Sequence, residues 1–174
     1  GENYVQEGVE KIQMLQSLAD IEWYFIGPIQ SNKTRLVAEN FDWVQAVDRL
    51  KIAKRLNDQT IPHKTLNVCI QVNIDDDKNK AGIGVNELHD FAKAINELPN
   101  LRLRGLMTIP KANQSQSEQT VSFNHMAALF DNLKKQYPSV DTLSMGMSGD
   151  IQNAINNGST MVRVGSAIFG LRNK

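Results

Sequence analysis

Two segments near the carboxyl end of the sequence carry residue types suited to binding a phosphate group. Ser148 ends the run TLSMGMS, and Gly165 and Ser166 follow the apolar run MVRV. A hydroxyl group, together with backbone N–H groups that no Cβ shields, can bind phosphate oxygens. Alternatively, the glycines of these segments relieve crowding inside the fold. The residues by themselves leave both explanations open.

Arg163 interrupts the apolar run MVRV, so a strand there would carry a partly buried guanidinium. A buried arginine needs a partner. The partner is either a carboxylate on a neighbouring strand, such as Asp75, or an acceptor on a bound ligand. Lys33 and Lys80 follow predicted strand ends and would face the same ligand, or they are solvated surface lysines.

Strands and helices alternate along the chain, which predicts parallel βα units. An open doubly wound sheet and a closed (β/α)8 barrel both fit this alternation. The first predicted strand lacks the glycine-rich fingerprint of a dinucleotide-binding sheet. Polar residues at strand ends, among them Gln71, Thr108 and Ser144, favour a barrel, where such ends line the active-site face. The predicted strands are 21–27, 43–48, 66–74, 101–109, 142–148 and 160–169, and the longest predicted helix is 117–136.

A (β/α)8 barrel needs eight strands, and this sequence predicts six. We therefore expect a TIM barrel that lacks roughly its first two strands, with those strands upstream of Gly1. The absence of an initiator methionine agrees with this expectation. Residues 1–174 are then expected to form a single domain, incomplete at its N-terminus.

Composition argues against several classes of function. The 174 residues contain 19 Lys and Arg and 19 Asp and Glu, so zero net charge gives no overall attraction to nucleic acid. No apolar run approaches the ~20 residues needed to span a bilayer. The three histidines are too scattered for a metal site. The single cysteine, Cys69, lies in an apolar run and predicts a buried thiol in a reducing compartment, the cytoplasm.

Five motifs together resemble the pyridoxal-phosphate homeostasis protein family, whose members are related to the barrel half of bacterial alanine racemase. They occur in the family's order and extend from the first residue nearly to the last. The motifs are GENYVQE (1–7), FIGPIQSNK (25–33), RLRGLMTIP (102–110), TLSMGMSGD (142–150) and STMVRVGSAIFG (159–170).

The resemblance implies a barrel of the alanine racemase N-terminal type and the cofactor pyridoxal 5′-phosphate (PLP). It implies that Ser148, Gly165 and Ser166 bind the phosphate, that Arg163 faces the pyridine nitrogen, and that Asn3 lies near the ring. The Schiff-base lysine of the family lies on the first strand, which places it upstream of Gly1. The family often has histidine at the position of Tyr24, so a role for that position is left open. No metal site and no catalytic residue of this chain is implied.

The expected function is that of a PLP carrier or regulator in intracellular vitamin B6 and amino-acid homeostasis, with little or no catalysis. Racemisation needs an acid or base on each face of the substrate, and alanine racemase draws one of them from a separate domain. An arginine does not give up its proton, so it leaves the pyridine nitrogen unprotonated and the ring a weak electron sink. The alternatives are a weakly active PLP-dependent amino-acid racemase and a phosphate-binding barrel without PLP. We expect a monomer that passes PLP to PLP-requiring enzymes.

Overall fold

The computed structural model describes residues 1–170, which contain one sheet of six parallel strands arranged in chain order. The strands are β1 (Tyr24–Phe25), β2 (Trp43–Val47), β3 (Leu66–Gln71), β4 (Leu101–Met107), β5 (Thr142–Met147) and β6 (Met161–Arg163). The helices are α1 (Val5–Met14), α2 (Thr34–Asn40), α3 (Leu50–Gln59), α4 (Leu88–Asn96), α5 (Gln116–Gln136), α6 (Ile151–Asn156) and α7 (Ser166–Phe169). Short 3₁₀ turns cover Ser31–Lys33 and Val85–Glu87.

The six predicted strands are confirmed in order and direction, but two of their extents were wrong. The strand predicted over 21–27 contains only two paired residues. The strand predicted over 160–169 ends at Arg163, and the apolar stretch after Gly165 forms the short helix α7. The chain changes direction at Gly165, where φ is −122° and ψ is −78°.

The sheet curls into a half-barrel rather than lying flat. Neighbouring strands lie about 4.8 Å apart, so in a flat sheet β2 and β6 would be roughly 19 Å apart. Yet the side-chain amide of Gln45 on β2 donates to Sδ of Met161 on β6 across 2.9 Å. Only a strongly curved sheet brings these two side chains together on its inner face.

Apolar helix faces cover the outer side of the sheet. In α5 the buried side chains recur at helical spacing, so one stripe of the helix packs against the sheet. Ser115 and Glu118 form a capping box that fixes where α5 begins. The inner side carries a smaller apolar cluster of Trp43, Ala46, Cys69 and Met107. Among residues 1–170, no helix is both long enough and apolar enough to cross a membrane.

Residues 1–3 occupy the place of a further parallel strand beside β1. The N–H of Glu2 donates to the carbonyl of Tyr24 at 2.8 Å, and the N–H of Ile26 donates to the carbonyl of Glu2 at 2.9 Å. The next residue, Asn3, then passes so close to Gly27 that a Cβ on Gly27 would lie 2.1 Å from the Asn3 carbonyl oxygen. The motifs GENY and FIGP are therefore packed directly on each other.

The loop after β4 is fastened to the loop after β3 by two charged side chains. The carboxylate of Asp75 accepts hydrogen bonds from the N–H of Lys111 at 2.6 Å, from the amide of Gln114 at 3.1 Å and from the hydroxyl of Ser122. The ammonium group of Lys80 donates to the carbonyls of residues 109 and 110. Burial raises the pKa of Asp75, but these hydrogen bonds outweigh burial and hold it below its ordinary value.

We expect Asp75→Asn to lower the free energy of unfolding at pH 7 by about 1–2 kcal/mol, because a charged acceptor of hydrogen bonds is lost. A carboxyl whose pKa is lower in the folded state stabilises the protein above its unfolded pKa of about 3.9, and this contribution is lost as pH falls through the folded value. The difference between wild type and variant should therefore shrink below about pH 4.

Urea unfolding at neutral and acidic pH measures this difference. The matched control is Asp131→Asn, which changes an exposed carboxylate on α5 and should leave stability unchanged. An Asp75→Asn variant as stable as wild type at pH 7 would show that the carboxylate does not hold the loop.

Candidate functional site

Arg163, at the carboxyl end of β6, points into the half-barrel, and its hydrogen-bond partners among residues 1–170 are neutral acceptors. Its Nη1 donates to the hydroxyl of Ser144 at 2.8 Å, and its Nη2 donates to the carbonyl of Thr108 at 2.9 Å. The ion pair with Asp75 that the sequence left open as one explanation is wrong, because Asp75 is engaged by the loop after β4. Within residues 1–170, no carboxylate forms an ion pair with Arg163.

Among residues 1–170, no hydrogen-bonded partner of Arg163 carries a negative charge, so its positive charge is offset only in part. Burial lowers the pKa of its guanidinium, and the charge of Asp150 opposes this only partly. Arginine still keeps its proton at any physiological pH. A partly buried, charged donor without a carboxylate partner favours an anion or a ring acceptor on a ligand.

A second polar layer lies behind Arg163. The hydroxyl of Ser144 donates to Oε1 of Gln45 at 2.7 Å, and these two side chains are 0% and 1% exposed. Sequence reasoning noted Ser144 as a polar residue near a strand end and missed Gln45. The available signal was one polar residue within the otherwise apolar strand WVQAV.

Ser148 contacts the start of α7. Its hydroxyl oxygen accepts a hydrogen bond from the N–H of Ala167 at 3.2 Å. Gly165 and Ser166 immediately precede this N–H and are exposed. The structure thus brings Ser148, Gly165 and Ser166 together at the carboxyl edge of the sheet, beside the strand that carries Arg163.

Crowding explains one glycine in these segments and fails to explain another. A Cβ on Gly146 would lie 2.5 Å from Cβ of Ala154, and its φ of +97° is a conformation that favours glycine. Among residues 1–170, and apart from its two chain neighbours, no atom lies within 4 Å of where a Cβ on Gly165 would be. The backbone at Gly165 therefore faces open space, which leaves room for a ligand to approach it closely.

Asn3 is not brought together with the other predicted site residues. It follows Glu2 at the opposite end of the strand order, next to β1, whereas Ser148 and Arg163 lie on β5 and β6. In the part of the chain that the structure describes, no hydrogen bond joins the Asn3 side chain to those residues. Its position at the same carboxyl edge, from which α1 begins, is consistent with a site that the curled sheet surrounds.

The two lysines that would face a ligand have different surroundings. Lys80 is engaged with the loop after β4, as described above. Lys33 lies half-buried in the 3₁₀ turn Ser31–Lys33 before α2. Neither lysine lies on β5 or β6, which carry Ser148 and Arg163.

Two further side chains are fixed on the inner face. Burial raises the pKa of Cys69 to about 12, so its thiol is protonated and unreactive at neutral pH, and the predicted burial is confirmed. Tyr24 stacks on Trp43 with ring centroids 5.1 Å apart, and its hydroxyl donates to Glu22 at 2.9 Å. Tyr24 thus serves the packing of the inner face near the amino ends of the strands.

Comparisons with known proteins agree with the sequence motifs and the geometry. Residues 1–173 match the family model described as alanine racemase, N-terminal domain. The pyridoxal phosphate homeostasis protein of Haemophilus influenzae is 57% identical over 177 residues, which cover 99% of this chain and 75% of that protein. The corresponding protein of Escherichia coli K12 is 56% identical, with the same coverage of each chain.

Solved structures show the same fold. PipY of Synechococcus elongatus PCC7942, determined with PLP bound, is 34% identical with a TM-score of 0.89, over 98% of this chain and 80% of that one. Alanine racemase of Corynebacterium glutamicum is 17% identical with a TM-score of 0.66, over 94% of this chain and 46% of that one, and shares the fold alone. By its family model and its identity to curated relatives, this chain belongs to the family of the alanine racemase N-terminal domain, among the pyridoxal phosphate homeostasis proteins.

Proposed function

We propose that this chain binds PLP and acts as a carrier or regulator in PLP and amino-acid homeostasis, with little or no catalysis. The observation that carries the proposal is the partly buried guanidinium of Arg163, which lies beside Ser148 and Gly165 and, among residues 1–170, is hydrogen-bonded to neutral acceptors alone. PLP offers the two features that this arrangement lacks, a phosphate anion and a ring acceptor. The names of the closely similar relatives and the PLP-bound PipY structure support the same ligand.

The two ends of the cofactor would be held by different groups. Ser148, Gly165 and Ser166 would bind the phosphate through two hydroxyls and the N–H groups at the start of α7. Arg163 would donate to the pyridine nitrogen. Asn3 would approach the ring from the opposite end of the strand order, on the same carboxyl edge.

The covalent anchor of the cofactor is proposed to be a lysine upstream of Gly1 in the natural protein. That lysine would lie on the first strand of a (β/α)8 barrel, of which residues 1–174 form the larger part of a single domain. Two observations support a longer barrel. The chain spans 75% of the length of its Haemophilus relative, and Glu2 already pairs as a strand beyond the edge of β1.

Low catalytic activity follows from the chemistry of the ring partner. PLP supplies an electron sink for carbanion chemistry, and the sink is strong when the ring nitrogen is protonated. Arg163 would donate its own hydrogen and keep its charge, so the nitrogen would carry no proton. Such a site would hold PLP firmly and release it to PLP-requiring enzymes, and we propose that it does so as a cytoplasmic monomer.

Borohydride reduction after addition of PLP, followed by peptide mapping of the natural protein, tests the ligand and its anchor. We expect one labelled lysine, upstream of Gly1. A label on Lys33 or Lys80 would show that the anchor has been misplaced, and a protein that takes up no label would exclude the proposed PLP adduct.

Assays of amino-acid turnover separate a carrier from a weak racemase. We expect no interconversion of L- and D-amino acids above the rate of free PLP, because a guanidinium beside the ring nitrogen would leave the ring a weak electron sink. Chiral chromatography after long incubation with a panel of amino acids measures this. Enzyme-dependent racemisation that disappears on removal of PLP would establish the racemase instead.

Replacement of Ser148 tests the phosphate end of the site. We expect Ser148→Ala to weaken PLP binding about tenfold, because a hydrogen bond to a charged group is lost. Fluorescence titration with PLP measures the dissociation constant. The control is Ser139→Ala, which removes a hydroxyl that donates to the carbonyl of Leu103 at 2.8 Å, before β5. Equal affinity in Ser148→Ala and wild type would remove Ser148 from the phosphate site.

A further inference from the structure

We infer that Gln45 and Ser144 are positioning residues for the cofactor ring. Through a directional chain of hydrogen bonds they fix the guanidinium of Arg163 so that it donates to the ring nitrogen of PLP. This inference rests on the proposed function and extends it to a residue on the far side of the half-barrel, Gln45 on β2.

The direction of each hydrogen bond in the chain is determined by chemistry. A guanidinium has donors only, so the contact of 2.8 Å between Nη1 of Arg163 and Oγ of Ser144 uses the serine oxygen as acceptor. Ser144 has one proton left to donate, and Oε1 of Gln45 lies 2.7 Å away to accept it. With Ser144 fully buried, Gln45 is the group that keeps the serine lone pair facing Arg163.

The orientation of the Gln45 amide is set in turn by β6. Its Nε2 donates to Sδ of Met161, two residues before Arg163 on the same strand. Turning the amide over would place Nε2 against Ser144 and leave the serine proton without this acceptor. One glutamine therefore joins β2 to both β5 and β6, at the level of Arg163.

The hydrogen-bond partners of Arg163 in this chain of contacts are all uncharged. Gln45, Ser144 and the carbonyl of Thr108 orient the guanidinium without offsetting its charge. A glutamate in the place of Gln45 would still accept from Ser144, but it would cancel part of the charge that attracts the ligand. A donor to a ring nitrogen needs both a fixed orientation and a charge that no hydrogen-bonded carboxylate cancels.

A purely structural role for Gln45 would change stability, whereas a positioning role changes which ligand is preferred. The discriminating ligand is a PLP analogue in which a C–H group replaces the ring nitrogen. It keeps the phosphate and the aldehyde and lacks only the acceptor for Arg163. The ratio of the two dissociation constants therefore reports the contact between Arg163 and the ring.

The experiment measures both dissociation constants by titration of the natural protein and its variants. We expect wild type to prefer PLP over the analogue by about tenfold, the effect of one hydrogen bond from a charged donor. Ser144→Ala should bring the ratio close to one, and Gln45→Met, which is nearly isosteric, should reduce it about threefold or more. In the double variant, Gln45→Met should change the ratio no further, because Gln45 acts through Ser144.

The matched control is Thr34→Val. Thr34 is a fully buried hydroxyl that accepts from Nε of Arg55 at 3.1 Å and lies in α2, outside the half-barrel. Its replacement should leave the ratio at the wild-type value.

Four results would overturn the inference. A wild-type ratio in Gln45→Met, or the same fall in Thr34→Val as in Ser144→Ala, would show that the chain does not position Arg163. Equal affinity of wild type for PLP and the analogue would remove the contact between Arg163 and the ring nitrogen while leaving PLP binding intact. Binding of neither ligand would overturn the proposed function itself, and the inference with it.

Discussion

The partly buried positive charge of Arg163 is the constraint that the interior of this half-barrel must satisfy. Taking a guanidinium out of water is costly unless each buried donor finds an acceptor. One acceptor directly follows β4 and the other lies on β5, and the residue that orients the second comes from β2. The sheet must therefore curl far enough to bring four strands to one point. The same curvature presents the outer face to the helices.

The loops at the carboxyl edge are joined to this point through Thr108. Its carbonyl accepts from Arg163, its hydroxyl donates to the carbonyl of Val72 at 2.8 Å, and the next two carbonyls are held by Lys80. Asp75 then fixes the following turn. Thr108 therefore contributes both to the orientation of Arg163 and to the position of the loop after β4. The candidate site and this loop are thus structurally coupled.

The sequence predicts those parts of the fold that depend on local pattern. Helix α5 and strand β4 could be placed within a residue or two, because apolar spacing and the capping box are local signals. The end of β6 could not be placed in this way. The residues SAIF are apolar enough to continue a strand, and the strand ends because of the backbone conformation at Gly165. The pairing of Glu2 with Phe25 could not be predicted either, because a single paired residue produces no repeating pattern of apolar side chains in the sequence.

In the candidate site, too, contacts within local motifs could be predicted from the sequence, whereas contacts between distant residues could not. The proximity of Ser148, Gly165 and Ser166 could be predicted because these residues stand in recognisable motifs and follow neighbouring strands. The partners of Arg163 could not, because Ser144 reaches Gln45 across 99 residues of sequence and Gln45 reaches Met161 across 116. By charge alone, Asp75 was a reasonable candidate for the partner of Arg163. Its carboxylate instead accepts hydrogen bonds from Lys111, Gln114 and Ser122 in the loop and helix that follow β4.

The uncharged partners of Arg163 suit a site that binds a cofactor without using it for catalysis. A carboxylate next to a pyridine nitrogen favours a protonated ring and a strong electron sink, whereas a guanidinium favours the unprotonated ring. Had the sequence placed a carboxylate at position 45 or 144, part of the charge on Arg163 would be cancelled and its hold on an anionic ligand weakened. Serine and glutamine provide the geometry and leave the charge for the ligand, and for the proposed carrier that combination matters more than catalytic power.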